Sequence, residues 1–459
     1  MADLRERLFG VWRRTFSLSW PLMIEQTFNT MMRTTDIIVT GLFSPAAVAA
    51  IGLADLYAQV PLRLGLGFGS GAIALSSQDT GRGAISTRDE AITQAMVIGL
   101  LAGIPLVIGG LLFSREAIAI LGATPEVARM GGTYLAIVFM AAPARITGLV
   151  GSRALQGTGD TRTPMVVNIT SNLINIAGSV VLGLGIGPAP RLSIVGVGIG
   201  TFAGRAFAAV AFFLILFRGI STATFVRPRH LTTTRQLVRV SIPTIAEGMS
   251  QTIANFPFNA ILLGFGTEVN AAYHIGRRMY QQLAGPLYRA YSTASSILVG
   301  QTLGEGDPAG ARFNGIAIAA LGVLSLGTVG FGLVFGADRL VTVFTQDPAT
   351  IGYAVTFAQV YGASMIFFGL FFAFAGSLRG AGDTRTPFYA RLTGTFGFTL
   401  GFSYLVGVVL GYGLIGVYLG LAFTYVWWTV VVGWGFLRGD WAEQAEAMMA
   451  ERDAAASDS

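Results

Sequence analysis

Asp36 is a carboxylate inside the first apolar stretch of this 459-residue chain. A charged side chain at the centre of a bilayer costs about 2.5–3.5 kcal/mol on insertion scales, so an acid there is by default a functional candidate. Its oxygens can take up a proton or bind a cation, and burial makes that exchange sensitive to neighbouring groups. The alternative is an Asp without such a role near the helix end. Glu25 and Glu247 also lie in apolar stretches. Each of them either pairs with a buried Arg or lines a cavity, and the sequence leaves both alternatives open.

A second set of polar residues lies in the later half of the chain. These residues are Gln251, Asn255, Asn259, His274, Arg277 and Arg278. The first three recur at i+4, so they share one face of a helix. The histidine and the two arginines follow in the next predicted helix and add positive charge. We expect the set to line a cavity, whereas packing and snorkelling to the membrane surface is the alternative for the arginines.

Two residue types that many active sites need are missing. The chain has no Cys, and its 30 basic residues are all Arg, which leaves no Lys. The first absence excludes disulfides, thiolate catalysis and Cys-based metal sites. The second excludes a P-loop and Schiff-base chemistry. We therefore expect neither enzyme activity nor a bound cofactor, and any uphill work must draw on an ion gradient or a partner ATPase.

The composition around these residues is typical of membrane proteins. Hydrophobic residues make up 53% of the sequence and charged residues 12%, against roughly 25% charged in soluble domains. The 61 Gly residues suit closely packed transmembrane helices. Because one span needs about 20 apolar residues, we predict an all-α polytopic membrane protein with twelve transmembrane helices. The predicted spans are 16–42, 47–76, 92–114, 126–155, 164–187, 193–217, 237–264, 269–301, 313–336, 350–378, 387–411 and 414–437.

Arginine is unevenly divided between the connectors of these spans. Alternate connectors, starting with the N-terminus, hold many more Arg residues than the others. By the positive-inside rule this places both termini in the cytoplasm, with the chain in the cytoplasmic membrane. The same distribution accounts for the net charge of +6 without a nucleic-acid partner. We expect residues 1–15 to form an interfacial helix, not a cleaved signal peptide.

An internal repeat divides the chain. The segment Gly157–Pro164 (GTGDTRTP) recurs as Gly380–Pro387 (GAGDTRTP), and the same offset of 223 aligns Gln78 with Gln301. Since each repeat holds six spans, the two are parallel and related by an axis along the membrane normal. The predicted division is an interfacial segment 1–15, a six-helix lobe 16–217, a cytoplasmic linker 218–236, a second lobe 237–438 and an acidic cytoplasmic tail 439–459.

Two glycine-rich motifs have structural explanations. The glycines of the repeated loop permit a tight turn, and its Pro suits the first turn of the next helix. A phosphate-binding loop is the alternative, but no strand precedes it and no Lys is present. The run Gly65–Gly71 (GLGFGSG) is similar to a dinucleotide fingerprint. It lies within an apolar span, however, so we predict that it packs helices together.

The paired loops, together with Thr35–Gly41 and Gly300–Gly304, resemble the multidrug and toxic compound extrusion (MATE) family. The resemblance covers residues 15–438, and the archaeal and bacterial subgroup related to the DNA-damage-inducible transporters is most similar. It implies a V-shaped pair of six-helix lobes that exports organic compounds in exchange for H⁺ or Na⁺.

The resemblance also implies a cation site in the first lobe. The subgroup places a Tyr, an Asn and a Thr beside the acid, and these correspond to Tyr134, Asn175 and Thr201 beside Asp36. A second acid of the subgroup is replaced by Ser179, whose hydroxyl can coordinate an ion but does not titrate near neutral pH. This favours a single titrating group. If Na⁺ is the coupling ion, Asp36 and Asn175 are its expected ligands.

These observations predict a secondary active antiporter that exports amphipathic drugs or organic compounds in exchange for H⁺ or Na⁺. One alternative is a lipid or lipid-linked glycan flippase of the same broader superfamily, which the Arg excess favours. A more distant alternative is a non-transporting receptor or scaffold. The expected partners are a small organic substrate and the lipid bilayer, without nucleic acid, and we expect a monomer.

Overall fold

The computed structural model describes residues 2–457, and no strand occurs among them. This part of the chain falls into two compact units. The N-terminal unit comprises Pro21–Ile245 and residues 450–457, and the C-terminal unit comprises Ala246–Met449 and residues 2–20.

The first seven helices precede the connector between the two repeats. They are α1 (Ala2–Gly41), α2 (Pro45–Gly81), α3 (Ile85–Ile120), α4 (Pro125–Met140), α5 (Ala142–Gly157), α6 (Arg162–Leu184) and α7 (Ile194–Phe217). Pro residues directly after capping side chains start two of them. Ser44 accepts a hydrogen bond from the Ala47 N–H ahead of α2, and Thr124 accepts one from the Val127 N–H ahead of α4. Such caps satisfy backbone donors that the helix itself leaves unpaired.

The remaining helices follow the connector. They are α8 (Leu231–Phe265), α9 (Thr267–Leu283), α10 (Gly285–Gly304), α11 (Pro308–Val341), α12 (Pro348–Gly380), α13 (Arg385–Gly394) with its π-helical continuation Thr395–Val409, α14 (Leu414–Arg438) and α15 (Trp441–Ser457). Asp307 and Asp347 cap α11 and α12 in the same way, each followed by Pro.

The twelve predicted spans all correspond to helices of the structure. Three of them are interrupted: 126–155 is α4 plus α5, 269–301 is α9 plus α10, and 387–411 is α13 plus the π-helical segment. Within residues 2–457, eight helical spans are long and apolar enough to cross a membrane, or nine when the pair α4–α5, bent by 46°, counts as one span. The other predicted spans lie in α1, α8 and α9–α10, which are richer in polar residues.

Residues 2–20 are arranged differently from the predicted separate interfacial segment. They are the first half of α1 and belong to the C-terminal unit. The Trp12 indole donates a 2.8 Å hydrogen bond to the Ala317 carbonyl, and the Arg7 guanidinium lies 4.5 Å from the Phe313 ring centroid. The predicted interfacial segment therefore packs partly on protein.

The connector between the repeats is shorter than the predicted linker, because α8 already begins at Leu231. Its backbone is bound to the start of α3. Asp89 Oδ2 accepts hydrogen bonds from the Thr224 N–H and hydroxyl at 3.0 and 2.7 Å. Glu90 Oε1 accepts from the backbone N–H groups of Arg229 and His230, both at 2.6 Å. The two acids thus replace the hydrogen bonds that an irregular segment cannot make to itself.

The predicted acidic tail is a helix with a buried basic residue. Arg452 is only 1% exposed and forms a salt bridge of 2.8 Å with Asp79. Its guanidinium also donates to Gln236 Oε1 at 2.6 Å and to Gln78 Oε1 at 3.1 Å. All four residues belong to the N-terminal unit, so the end of α15 is an integral part of that unit.

Both glycine-rich motifs have the predicted structural roles. A Cβ atom at Gly67 would lie 2.2 Å from the Ile245 side chain, and one at Gly71 would lie 2.8 Å from the Leu237 carbonyl. In the repeated loops, Gly159 and Gly382 have φ angles of 90° and 92°, a region that favours glycine. The following Asp accepts backbone hydrogen bonds at the start of α6 and of α13.

Candidate functional site

A close crossing of α6 and α7 forms the base of the candidate site. Gly200 and Gly204 lie one turn apart on the α7 face that contacts α6. A Cβ atom at Gly200 would lie 2.6 Å from the Ser179 nitrogen, and one at Gly204 would lie 2.5 Å from the Ser171 carbonyl oxygen. Only glycine permits such an approach, since small residues let helix backbones meet in membranes.

Four of the five residues predicted for the cation site are joined by hydrogen bonds. The Ser179 hydroxyl lies 2.8 Å from Asp36 Oδ1 and 3.2 Å from Asn175 Oδ1. The Asn175 amide donates to Thr201 Oγ1 at 3.2 Å. The Tyr134 side chain, from α4, lies near Thr201. Asn175, Ser179 and Tyr134 are buried, whereas Asp36 is half-buried and remains within reach of an arriving ion.

The protons in this network can be arranged in two ways. Ser179 has one hydroxyl proton and two neighbouring acceptor oxygens, on Asp36 and on Asn175. When Asp36 is ionised, the hydroxyl donates to the carboxylate and Asn175 Oδ1 loses this donor. When Asp36 is protonated, it can donate to Ser179 Oγ, which then donates to Asn175. Adding a proton to Asp36 therefore reverses the direction of hydrogen bonding at Ser179.

Further charges surround this network and were not part of the predicted site. Asp36 interacts electrostatically with Arg205, Asp55 and Arg33. Arg145, from α5, donates a 3.2 Å hydrogen bond to the Ala58 carbonyl. The signal that could have indicated these residues is their charge inside predicted apolar spans, where ionisable groups are rare.

Glu25 and Glu247, which the internal repeat aligns at an offset of 222, have different environments. Glu247 forms salt bridges with Arg379 at 2.9 Å and Arg391 at 3.0 Å. Glu247 is therefore a buried partner of arginine, one of the two alternatives for it.

Glu25 is 8% exposed, and its Oε2 has no hydrogen-bond partner among residues 2–457. At the offset of 223, the positions of the two arginines correspond to Gln156 and Asn168. Asn168 and Arg153 lie near Glu25.

The second predicted set lies in the C-terminal unit and is only partly brought together. Asn259 Oδ1 lies 3.1 Å from His274 Nε2, and the Asn259 amide donates to the Asn255 carbonyl at 2.8 Å. Gln251 instead donates to Thr395 Oγ1 at 2.6 Å. Arg277 is half-buried, and Arg278 is exposed. Whether the set lines a substrate cavity stays a prediction.

Asp36 and Asn175 are the predicted ligands if Na⁺ is the coupling ion. Within residues 2–457, no group of three or more His, Asp or Glu side chains is placed to hold a metal ion. The oxygens of Asp36, Ser179, Asn175 and Thr201 are hard ligands of the kind that alkali and alkaline-earth cations prefer. The donor set therefore fits either a proton or a weakly held Na⁺.

Long apolar helices around a half-buried carboxylate define the class of polytopic membrane transporters. A family model places the chain within that class: MatE matches residues 21–181 and 243–405. The chain belongs to the MatE family, as the paired loops predicted.

Similar proteins cover almost the whole chain. A "Probable multidrug resistance protein NorM" of Rhodopseudomonas palustris is 28% identical over 94% of this chain and 93% of its own length. The "Uncharacterized transporter YisQ" of Bacillus subtilis is 26% identical over 88% of this chain and 89% of its own. A crystal structure of MATE in the bent conformation superposes with a TM-score of 0.86, at 18% identity and 99% coverage of both chains. The predicted all-α transporter fold is thereby confirmed.

Proposed function

We propose that this chain is a multidrug efflux antiporter, which exports amphipathic organic compounds in exchange for H⁺ or Na⁺. The observation that carries the proposal is the network of Asp36, Ser179, Asn175 and Thr201 inside membrane-spanning helices. Membership of the MatE family and the similarity to a probable multidrug resistance protein support the same function.

Coupling follows from the two proton arrangements at Ser179. Arrival of H⁺ neutralises Asp36, and arrival of Na⁺ compensates its charge. Either event changes the interaction between α1, which carries Asp36, and α6, which carries Ser179. Pro21 interrupts the hydrogen bonding of α1 and gives this helix a point at which to bend. The ion thus favours one of two conformations, and it shifts their populations by its differential affinity.

The cellular arrangement is part of the proposal. We place the chain in the cytoplasmic membrane as a monomer, with both termini in the cytoplasm, because Arg residues concentrate in alternate connectors. H⁺ or Na⁺ serves as the coupling ion, and no resident cofactor takes part.

The test is fluorescent-substrate efflux from proteoliposomes in which a pH gradient and a Na⁺ gradient are imposed separately. Wild-type protein should respond to at least one gradient, and Asp36→Asn should lose that response. Asp338→Asn, an exposed acid near the end of α11, is the matched control and should retain it. Full gradient-driven export by Asp36→Asn would contradict the coupling role. Movement of a labelled lipid across the bilayer without drug efflux would favour the flippase alternative.

A further inference from the structure

Arg277, on α9 of the C-terminal unit, is a positive charge without a negative partner. It is half-buried and forms no ion pair with any of residues 2–457. Its guanidinium donates one long hydrogen bond, of 3.5 Å, to the Tyr273 hydroxyl. An arginine inside a membrane span normally pairs with an acid or with backbone carbonyls, because an isolated charge there is costly.

Two other arginines of the same unit do have a negatively charged partner. Arg379 and Arg391 share Glu247, and Arg391 also lies over the Trp428 ring at 4.6 Å. Apart from Glu247, the acids of this unit lie at helix ends and connectors, such as Glu268 in the first turn of α9. Arg277 therefore has no carboxylate on α10, α12 or α14 with which to pair.

Arg277 contacts the Tyr273 hydroxyl and interacts electrostatically with Tyr280, Tyr361 and Tyr425, which belong to a group of aromatic side chains from four helices. The aromatic cluster consists of Tyr273, Tyr280, Tyr288, Tyr361, Phe368 and Tyr425. The rings of Tyr280 and Tyr361 are 4.4 Å apart between centroids, and those of Phe368 and Tyr425 are 4.5 Å apart. These distances are in the range of stacked and tilted aromatic pairs, so the cluster forms one continuous surface.

The cluster also offers hydroxyl groups. Neither Tyr361 nor Tyr425 makes a side-chain hydrogen bond within the described chain, and neither hydroxyl oxygen is among its fully buried unpaired atoms. Both hydroxyls are therefore accessible to a bound molecule, although most of each residue is buried. His274 and the exposed Arg278 lie on the same short helix as Arg277 and add to the positive character of this region.

We propose that Arg277 and the aromatic cluster bind aromatic anions, that is, planar ring systems carrying a carboxylate or a phosphate. The anionic group would pair with the planar guanidinium, which matches such oxygens in a two-point geometry. The ring system would stack on the tyrosines, whose hydroxyls can donate to its polar edge. This inference rests on the proposed export function and specifies the substrate class.

The test measures equilibrium binding to the full-length, detergent-solubilised chain, so that it does not depend on transport. The probes are riboflavin 5′-phosphate, riboflavin and ethidium, which are an aromatic anion, its neutral counterpart with the same ring, and an aromatic cation. We expect the phosphate compound to bind roughly tenfold or more tightly than riboflavin, as a charge-assisted hydrogen bond provides.

Variants assign that preference to Arg277. Arg277→Gln should abolish the difference between the two flavins, and Arg277→Lys should retain part of it. Arg339→Gln, an exposed arginine near the end of α11, is the matched control and should leave the difference unchanged. Thermal unfolding of each variant identifies any that fail to fold, and the Lys variant then carries the test. Equal binding of the two flavins, absence of binding of the phosphate compound, or an unchanged preference in Arg277→Gln overturns the inference. Gradient-driven efflux of cationic dyes in such a case would leave the proposed function intact.

Discussion

The Ser179 hydroxyl on α6 lies 2.8 Å from Asp36 Oδ1 on α1, so a neutral donor contacts the carboxylate. In the subgroup that the sequence resembles, a second acid is expected at this position. Replacing it with a hydroxyl removes one negative charge and leaves a hydrogen bond in its place. The site thus combines one ionisable group with a set of polar residues that respond to its charge.

Ser179→Ala should weaken ion coupling without abolishing it. The change removes a hydrogen bond to a carboxylate, which contributes about 1.5–3 kcal/mol, while Asp36 itself remains. The coupling-ion concentration that gives half-maximal efflux from proteoliposomes should change by roughly tenfold or more. Ser171→Ala is the control, because Ser171 lies on the same helix and donates to the Gly204 carbonyl instead of Asp36. An identical response of both variants would show that Ser179 has only a packing role.

Gly200→Ala should separate α6 from α7 and disturb the same site. The added Cβ would meet the Ser179 nitrogen at 2.6 Å, and overpacking of this kind costs about 1–3 kcal/mol. Gly109→Ala in α3 meets nothing within 4 Å and should be neutral or slightly stabilising. Thermal unfolding in detergent compares the two variants, and efflux should fall for Gly200→Ala alone. Equal stability of both variants would argue against a tight crossing.

The sequence was sufficient to predict the helices and much of the candidate site. Apolar length predicts a span, and the repeat predicts how spans group, because both depend on local sequence. The breaks at Ala141 and Ala284 were not predicted, since the apolar pattern continues through them. The burial of Arg452 was also missed. Its neighbours in the sequence are acidic, which is typical of a solvent-exposed segment. Its partner Asp79 is separated from it by most of the chain.

The environment of Arg277 shows the same limit. Tyr280 lies on its own helix at i+3, so that neighbour can be read from spacing. Tyr361 and Tyr425 come from α12 and α14, and only tertiary packing brings them to α9. Sequence periodicity reports which face a helix buries, but not which distant helix covers that face.

Acidification should release the connector from α3. Glu90 lies in the second turn of α3, ahead of predicted span 92–114, and its Oε2 is 2.7 Å from His230 Nδ1. Burial alone raises the pKa of Glu90, but hydrogen bonds from the His230 and Arg229 backbones and from the His230 ring together lower it below the ordinary 4.5. An acid whose pKa is lower in the folded protein than in the unfolded chain stabilises the folded protein at pH values above its unfolded-state pKa. This stabilisation is lost as the pH falls through the folded-state pKa.

Hydrogen exchange of the backbone amides at 224–230 measures this release. After correction for intrinsic rates, protection should be retained at neutral pH and should fall as the pH drops below 4.5. Glu90→Gln should exchange faster at neutral pH and lose most of the pH dependence. Glu126→Gln, an exposed acid at the start of α4, should behave like wild type. Protection that is independent of pH in the wild type would refute the role of Glu90.

Glu247→Gln should destabilise the protein more than Glu25→Gln, although the repeat aligns the two positions. Removing the Glu247 charge leaves Arg379 and Arg391 without their shared counter-charge. Breaking a buried ion pair from one side costs about 3–5 kcal/mol, because the remaining charge stays desolvated. One carboxylate oxygen of Glu25 has no hydrogen-bond partner in the described chain, so neutralising Glu25 should lower the free energy of unfolding by less. Thermal unfolding in detergent should therefore give a large decrease in Tm for Glu247→Gln and a small one for Glu25→Gln. The reverse order would mean that Glu25 carries a structural ion pair and that the asymmetry between the repeats is absent.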